Sequence, residues 1–301
     1  MIIGAIDVGS NSVKLLVADV KGLTVRPIEH RTKITRLSGG VDRTGRISTG
    51  AQDRTIAVLR QFLPLAFKLG ASRIVAVGTE ALRIARNGRR FAERCRREAS
   101  VPIRIISARE EARLAFVGAT SGRRETRLAA IDIGGGSTEI MLGRPGRLGM
   151  AVSLPLGAVR LTETHLETVP PTLGERLALL EEVRGGLERI PARLRRAASS
   201  KTILLGIGGT CVNVARMLRP GGLPEGRRVP IEKLEELLDT MAELPIAKRK
   251  RLPGIDPDRA DIIVAGARIL VETMKALGID SFTATIHGLR RGLLFETAAE
   301  S

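Results

Sequence analysis

The 301-residue chain has no tryptophan, no tyrosine, six phenylalanines and two cysteines. A core without large aromatics must be built from Leu, Ile, Val and Ala. A single-strand nucleic-acid surface, which stacks bases on aromatic rings, is not expected. Cys95 and Cys211 stand far apart, with no Cys or His at metal-ligand spacing. A zinc site is therefore not expected, and a reducing, cytoplasmic setting is the simplest fit. Long apolar runs are missing too. The opening MIIGAIDVGSNS turns polar after its first six residues, so it reads as neither a signal peptide nor a membrane span. The chain has no Gly-Lys dipeptide, which excludes a P-loop, and no complete G-x-G-x-x-G follows its first strand. H-E-x-x-H and G-x-S-x-G are also absent.

Acidic residues are in short supply: 32 Asp and Glu against 49 Lys and Arg leave a net charge of +17. Such an excess draws polyanions, and its largely arginine make-up suits bidentate recognition of phosphate oxygens. An arginine-rich surface habit gives the same figure, so charge alone assigns nothing. What is plentiful is apolar residues at 43% and 33 glycines, the composition of a folded α/β protein. The length favours two domains.

Apolar runs alternate with helical patterns along the chain. Residues 1–7, 13–20 and a third run ending near 33 read as strands joined by short turns. Ser48 caps a helix over 49–69, closed by Gly70. Residues 73–77 and 103–106 read as strands, 88–99 as a basic helix, and Ser107 opens a helix with Glu110, Glu111 and Arg113. At Leu128 the opening pattern restarts. Ala5-Ile6-Asp7-Val8-Gly9-Ser10-Asn11-Ser12 aligns with Ala130-Ile131-Asp132-Ile133-Gly134-Gly135-Gly136-Ser137. Asp, Gly and the final Ser fall in register, a duplication on the scale of a domain. The second half continues with helices over 157–165 and 173–196, and a strand at 202–205. A helix over 231–241 and a basic loop at Lys248-Arg249-Lys250-Arg251 follow. A long helix over 259–277, a strand at 281–285 and a helix over 289–298 close the chain. A hairpin at the start of each half predicts mixed sheets flanked by helices.

Three Gly/Ser/Thr-rich turns follow buried strands: Asp7 to Ser12, Asp132 to Glu139, and Gly206-Ile-Gly-Gly-Thr210. Glycine lets backbone N–H groups close around an anion, and the hydroxyls of Ser10, Ser12, Ser137 and Thr210 add donors. The third turn runs into a helix, whose N-terminus also favours phosphate at Gly208, Gly209 and Thr210. One such turn is as readily a plain hairpin. Two copies, each opened by an Asp, point to phosphate. A carboxylate beside a phosphate nest repels it unless a cation intervenes, so Asp7, Asp132 and Glu139 point to Mg²⁺ held partly through water.

At these residues the sequence resembles the exopolyphosphatase/guanosine pentaphosphate phosphohydrolase (Ppx/GppA) branch of the actin, sugar kinase and Hsp70 superfamily. The resemblance runs through the Asp7 turn, Gly78-Thr79-Glu80-Ala81-Leu82-Arg83, and Ile106-Ser107-Ala108-Arg109-Glu110-Glu111-Ala112-Arg113. It continues through Asp132 to Glu139, Gly208-Gly209-Thr210 and Gly288-Leu289-Arg290-Arg291-Gly292-Leu293. It implies an α/β fold of two duplicated RNase H-like lobes, with the active site in the cleft between them. The first lobe is residues 1–125 with the closing helix 288–301, and the second is 126–287. Glu111 maps onto the family's catalytic base, Arg83 onto an arginine of the phosphate site, and Asn11, Gly135, Gly136 and Ser137 onto phosphate-holding turns. Asp7, Asp132 and Glu139 map onto the acidic residues that organise Mg²⁺. Ala108 stands where the family more often has Gly. No His is followed by Asp, so the chain looks like the short, two-domain form.

The expectation is a cytoplasmic, Mg²⁺-dependent enzyme that hydrolyses the terminal phosphate of inorganic polyphosphate. Removal of the 5′-γ-phosphate of guanosine pentaphosphate (pppGpp) is the close alternative, and an ATP-dependent actin-like kinase or a non-catalytic polyphosphate sensor is the distant one. A homodimer is plausible for the family, and no membrane or nucleic-acid partner is expected. Arg89-Arg90, Arg193 to Arg196 and Lys248 to Arg251 are candidate grips for a long polyanion, each equally readable as a solvated face.

Overall fold

The computed structural model describes residues 1–198 and 202–300, so Ser301, the end of the helix assigned to the first lobe, lies outside the described residues. The chain divides into two compact units, Met1–Arg123 with the closing segment from His287, and Arg124–Ile286. No helix among the described residues is long and apolar enough to cross a membrane.

The first unit is built on a sheet of β1 (Ile2–Val8), β2 (Ser12–Lys21), β3 (Thr24–Ile34), β4 (Arg73–Gly78) and β5 (Ile103–Ile105), in the order β3-β2-β1-β4-β5. β1 pairs antiparallel with β2, and β2 with β3, while β4 lies parallel to both β1 and β5. β1 is almost wholly buried, as a strand covered on both faces must be, and its sequence is a continuous apolar run up to Asp7. β3 forms an edge and is largely exposed, with charged side chains and Pro27 beside a register shift. Proline and charge discourage pairing with another chain at such an edge. Ile6, Leu15, Leu59, Phe62 and Phe91 lie in the core that joins this sheet to its helices.

The second unit repeats the plan with β6 (Leu128–Ile133), β7 (Thr138–Arg144), β8 (Arg147–Leu154), β9 (Ile203–Ile207), β10 (Arg228–Pro230) and β11 (Ser281–Ala284), in the order β10-β11-β9-β6-β7-β8. β6, β7, β8, β9 and β11 stand where β1 to β5 stand in the first unit, and β10 is an added antiparallel edge. The duplication read from one turn therefore extends to the topology of both sheets.

Three expectations need correction. The helix expected over 173–196 is two, Leu173–Leu187 and Ala192–Ala197, with Pro191 at the N-cap of the second. Proline suits a helix start, whereas in the interior it removes a hydrogen bond and costs stability. The long helix begins at Ile263 rather than 259, after a single 3₁₀ turn, Pro257–Arg259, capped by the Asp256 side chain. The basic stretch at 248–251 is not an open loop, because Arg249 closes a short helix, Ile246–Arg249, and is 2% exposed. Its guanidinium donates to the carbonyls of Met241, Ala260 and Leu244 at 3.0, 2.9 and 3.0 Å. Burial lowers its pKa from the ordinary arginine value. Arg249 is a structural tie, lost to any polyanion.

The closing helix, Leu289–Ala299, lies against the helix Ala108–Thr120. The contact is backbone on backbone: a Cβ on Gly118 would sit 2.1 Å from the Gly288 carbonyl oxygen, and one on Gly292 2.0 Å from that of Leu114. Glu296 then pairs with Arg104 at 2.9 Å and with Arg113. The contrast with an unhindered helical glycine gives a test. Gly292→Ala should destabilise by about 1–3 kcal/mol through overpacking. Gly185→Ala, where nothing lies within 4 Å, should stabilise by about 0.5–1 kcal/mol. Denaturant unfolding of the two variants beside the parent checks the opposite signs.

Candidate active site

In the first unit the C-terminal ends of three parallel strands come level, with Val8, Gly78 and Ile105 in register across β1, β4 and β5. Chain segments that leave such an edge line the crevice where open α/β sheets bind ligands. Each of the unit's expected site residues leaves from this edge.

The turn from β1 to β2 is closed by the Gly9 N–H donating to the Ser12 carbonyl at 3.0 Å. Its carbonyls are occupied from behind, since Asn11 O accepts from Thr35 and Arg36 N–H and Ser10 O from Ser38 N–H. With the carbonyls tied down, the turn presents its N–H side outward. The Ser10 hydroxyl donates to Glu80 at 3.2 Å. Asn11 Nδ2 and Asp7 Oδ1 are both buried without a hydrogen-bond partner among the described residues. An unmet donor and an unmet acceptor in one turn are costly unless a ligand completes them. Lys14 Nζ lies 3.5 Å from Asp7 Oδ2, across the β1–β2 ladder. Arg290 also faces this carboxylate: burial, only partly offset by Asp7, pushes its guanidinium down to about 10.

Arg83 sits in the short helix Glu80–Ile84 after β4, and Glu111 in the first turn of Ala108–Thr120 after β5. Ser107 caps that helix, its hydroxyl accepting from Glu110 N–H. The Arg83 guanidinium bridges the two segments, donating to the Ile106 carbonyl at 3.0 Å and to Glu111 Oε2 at 2.6 Å. Both side chains are largely buried, 18% and 15% exposed, so the pair is screened less than a surface bridge. The structure thus joins Arg83 to Glu111, two residues 28 positions apart in sequence.

The second unit repeats the turn. The Gly134 N–H donates to Ser137 O at 2.8 Å, Gly134 O accepts from Ala158 N–H, and Gly135 O accepts from Val159 and Arg160 N–H. The helix Ala158–His165 follows β8 and takes up those carbonyls, as the segment after β3 does in the first unit. Gly157 passes so close that a Cβ there would lie 2.2 Å from Gly136 Cα. The two copies differ in charge. Asp7 faces Lys14 across its ladder, and Asp132 at the equivalent place faces Glu139. Glu139 is 3% exposed, and its Oε1 accepts from the Ser137 and Ser153 hydroxyls at 2.9 and 2.7 Å.

The third turn carries β9 into the helix Gly208–Leu218. Gly208 has φ +81°, and a Cβ there would lie 2.5 Å from Asp132 Oδ1. A Cβ on Gly209 would lie 2.0 Å from the guanidinium carbon of Arg259, and Thr210 is buried behind. Only Gly-Gly lets a carboxylate and a guanidinium close on this turn together. Arg259 was not singled out in the sequence, where it looked like the first residue of a long helix. The signal that could have found it is an arginine set in the acidic run Asp256-Pro-Asp-Arg-Ala-Asp261. Burial lowers its pKa, opposed by Asp256, Asp132 and Asp261.

No group of three or more His, Cys, Asp or Glu that could hold a metal occurs among the described residues. Mg²⁺ is usually held by only one or two carboxylates, with water and substrate phosphate completing the shell. Asp132 beside Glu139 in the second unit fits that pattern, and in the first unit Asp7 offers an unmet oxygen.

Two mixed sheets of the same strand order, each opening a glycine-rich turn from its central hairpin, define an actin-type phosphate-handling enzyme. The model of the Ppx/GppA phosphatase family matches residues 16–301, and the chain belongs to that family. It is a phosphoanhydride hydrolase. It is 31% identical to exopolyphosphatase 1 of Mycobacterium tuberculosis, over 98% of this chain and 87% of that one. It is 32% identical to exopolyphosphatase 2 of the same organism, over 98% of each. A solved Ppx/GppA family member from Aquifex aeolicus superposes with a TM-score of 0.81 at 31% identity, over 100% of this chain and 98% of that one.

The third turn yields a test. Gly208→Ala forces a side chain into a left-handed conformation and against Asp132, a strain of about 1–3 kcal/mol. Phosphoanhydride hydrolysis should fall more than tenfold in this variant, and steady-state phosphate release measures it.

Proposed function

We propose that the chain is an exopolyphosphatase that removes the terminal phosphate of inorganic polyphosphate with Mg²⁺, using Glu111 as general base. The observation that carries the reading is the Arg83–Glu111 pair at the same strand edge as the unmet Asn11 amide. The mycobacterial relatives named exopolyphosphatases support the substrate class.

Hydrolysis of a phosphoanhydride needs an oriented water and neutralisation of charge on the transferring group. In the free enzyme Arg83 holds Glu111. When the terminal phosphate arrives, its oxygens compete for the guanidinium, and the carboxylate turns to the attacking water and takes its proton. Arg83 then stabilises the equatorial oxygens, while the Asn11 amide, the Ser12 hydroxyl and the outward N–H groups of the Ser10 turn hold the phosphate in the first unit. In the second unit the Gly135–Gly136 turn with Ser137, and Gly208, Gly209 and Thr210, are phosphate donors of the same kind. Mg²⁺ would be held by Asp132 and Glu139 and would offset the negative charge of adjacent phosphates, and Asp7 is the first unit's candidate for a hold through water. The leaving polyphosphate departs one unit shorter.

Glu111→Ala should lower the rate about 10²–10⁴-fold with little change in substrate affinity. Phosphate release is timed from polyphosphate and from guanosine pentaphosphate, with Mg²⁺ and with chelator. Turnover of the nucleotide alone would move the reading to a pppGpp phosphohydrolase. Retained activity in Glu111→Ala would remove Glu111 from the mechanism.

A further inference from the structure

The site as described grips the end of its substrate, and nothing in it accounts for the rest of a long polyanion. Several surface arginines are already engaged: Arg94 pairs with Asp53 and Glu98, Arg104 with Glu110 and Glu296, and Arg184 with Glu272. Others are not, and five of these are carried by two neighbouring segments of the first unit. Arg43, Arg46, Arg86, Arg89 and Arg90 are exposed, and none has a side-chain partner among the described residues.

These five are brought together by the fold. The segment after β3 starts on the phosphate turn, with Arg36 and Ser38 N–H donating to Asn11 and Ser10 carbonyls, and runs through the short helix Val41–Thr44. It is then pinned to the start of the helix Gly88–Ala99. The buried Asn87 accepts from Ile47 N–H and donates to Ile47 O, both at 2.9 Å, and Arg86 N–H donates to Gly45 O. Gly45 has φ +66°, and a Cβ there would lie 3.3 Å from Arg86 Nε, so the arginine lies along the loop rather than away from it. Asp42 is the one carboxylate between residues 36 and 46, and residues 83–90 contain none. The stem of the loop touches the phosphate turn, and its far end carries several arginines against the single carboxylate of Asp42. Fixing five like charges on one face is unfavourable unless an external anion offsets them.

We propose that this arginine face of the first unit is the distal binding track for the polyphosphate chain, leading away from the Ser10–Asn11 turn. The proposal rests on the exopolyphosphatase reading for its ligand. It assigns a role to Arg89-Arg90 and none to Lys248–Arg251, where Arg249 is consumed internally. The contacts are exposed guanidinium–phosphate pairs, so binding here is salt-dependent, each neutralised phosphate adding to the slope of affinity against salt.

The test uses the full chain with Arg43, Arg46, Arg89 and Arg90 all changed to Gln. A second variant changes Arg193, Arg196, Lys248 and Lys250 to Gln, matching the loss of charge. Equilibrium binding of a fluorescent polyphosphate of about one hundred units is followed against salt, and KM is measured for that polymer and for tripolyphosphate. The track variant should bind the polymer about tenfold more weakly, with a shallower salt slope, and its long-to-short KM ratio should rise about tenfold. The control variant should move neither quantity by more than about twofold. Equal losses in both variants would replace the track by a diffuse field, and undiminished polymer binding in the track variant would remove it. Binding is read without turnover, so a protein that binds polymer through these arginines but releases no phosphate sinks the hydrolase reading and leaves the track standing.

Discussion

The chemistry of each unit depends on how the backs of two hairpin turns are tied. A turn has both N–H and C=O groups to satisfy, and an anion can use only the first. In the first unit Thr35, Arg36 and Ser38 take up the Ser10 and Asn11 carbonyls; in the second, Ala158, Val159 and Arg160 take up those of Gly134 and Gly135. With acceptors consumed on one side, donors are left on the other. The strands that bring those segments into place, β3 and β8, contribute no reacting group themselves. Their work is to return the chain to the turn.

The duplicated halves have diverged in electrostatics rather than in backbone. Lys14 and Glu139 occupy the same place on the ladder, opposite Asp7 and Asp132. A lysine beside an aspartate balances it directly, whereas two carboxylates side by side repel and lean on the neighbouring Arg259 guanidinium and serine hydroxyls. Each unit also sets a buried guanidinium near its aspartate, Arg290 by Asp7 and Arg259 by Asp132, and Arg259 alone lies on a Gly-Gly turn. The main electrostatic difference between the related sheets is thus the residue across the ladder.

Much of this was legible in the residues. Strand ends marked by Asp-x-Gly, the capped start at Ser107 and the restart at Leu128 are local signals, and local signals survive translation into sequence. Harder to see were features set by distant partners. The pairing of Arg83 with Glu111 is fixed by the parallel alignment of β4 and β5, and no spacing rule reveals it. Arg249 looked like one basic residue among four, because burial depends on which carbonyls surround it, and those come from residues 241 to 260. Arg259 was hidden for the same reason. The break at Pro191 could have been read, since proline favours a helix start over its interior, and the apolar periodicity on either side obscured it.

The helix that bears Glu111 rests on the closing helix through paired glycines, with Glu296 reaching Arg104 and Arg113. During vectorial synthesis the first unit therefore cannot finish when its own strands emerge. The whole intervening unit must be made before residues 289–299 leave the ribosome. Until then the helix that bears Glu111 has an open groove of bare backbone where its partner will lie. The nascent first unit should remain loosely set and gain its seat for Glu111 only once residues 289–299 have emerged.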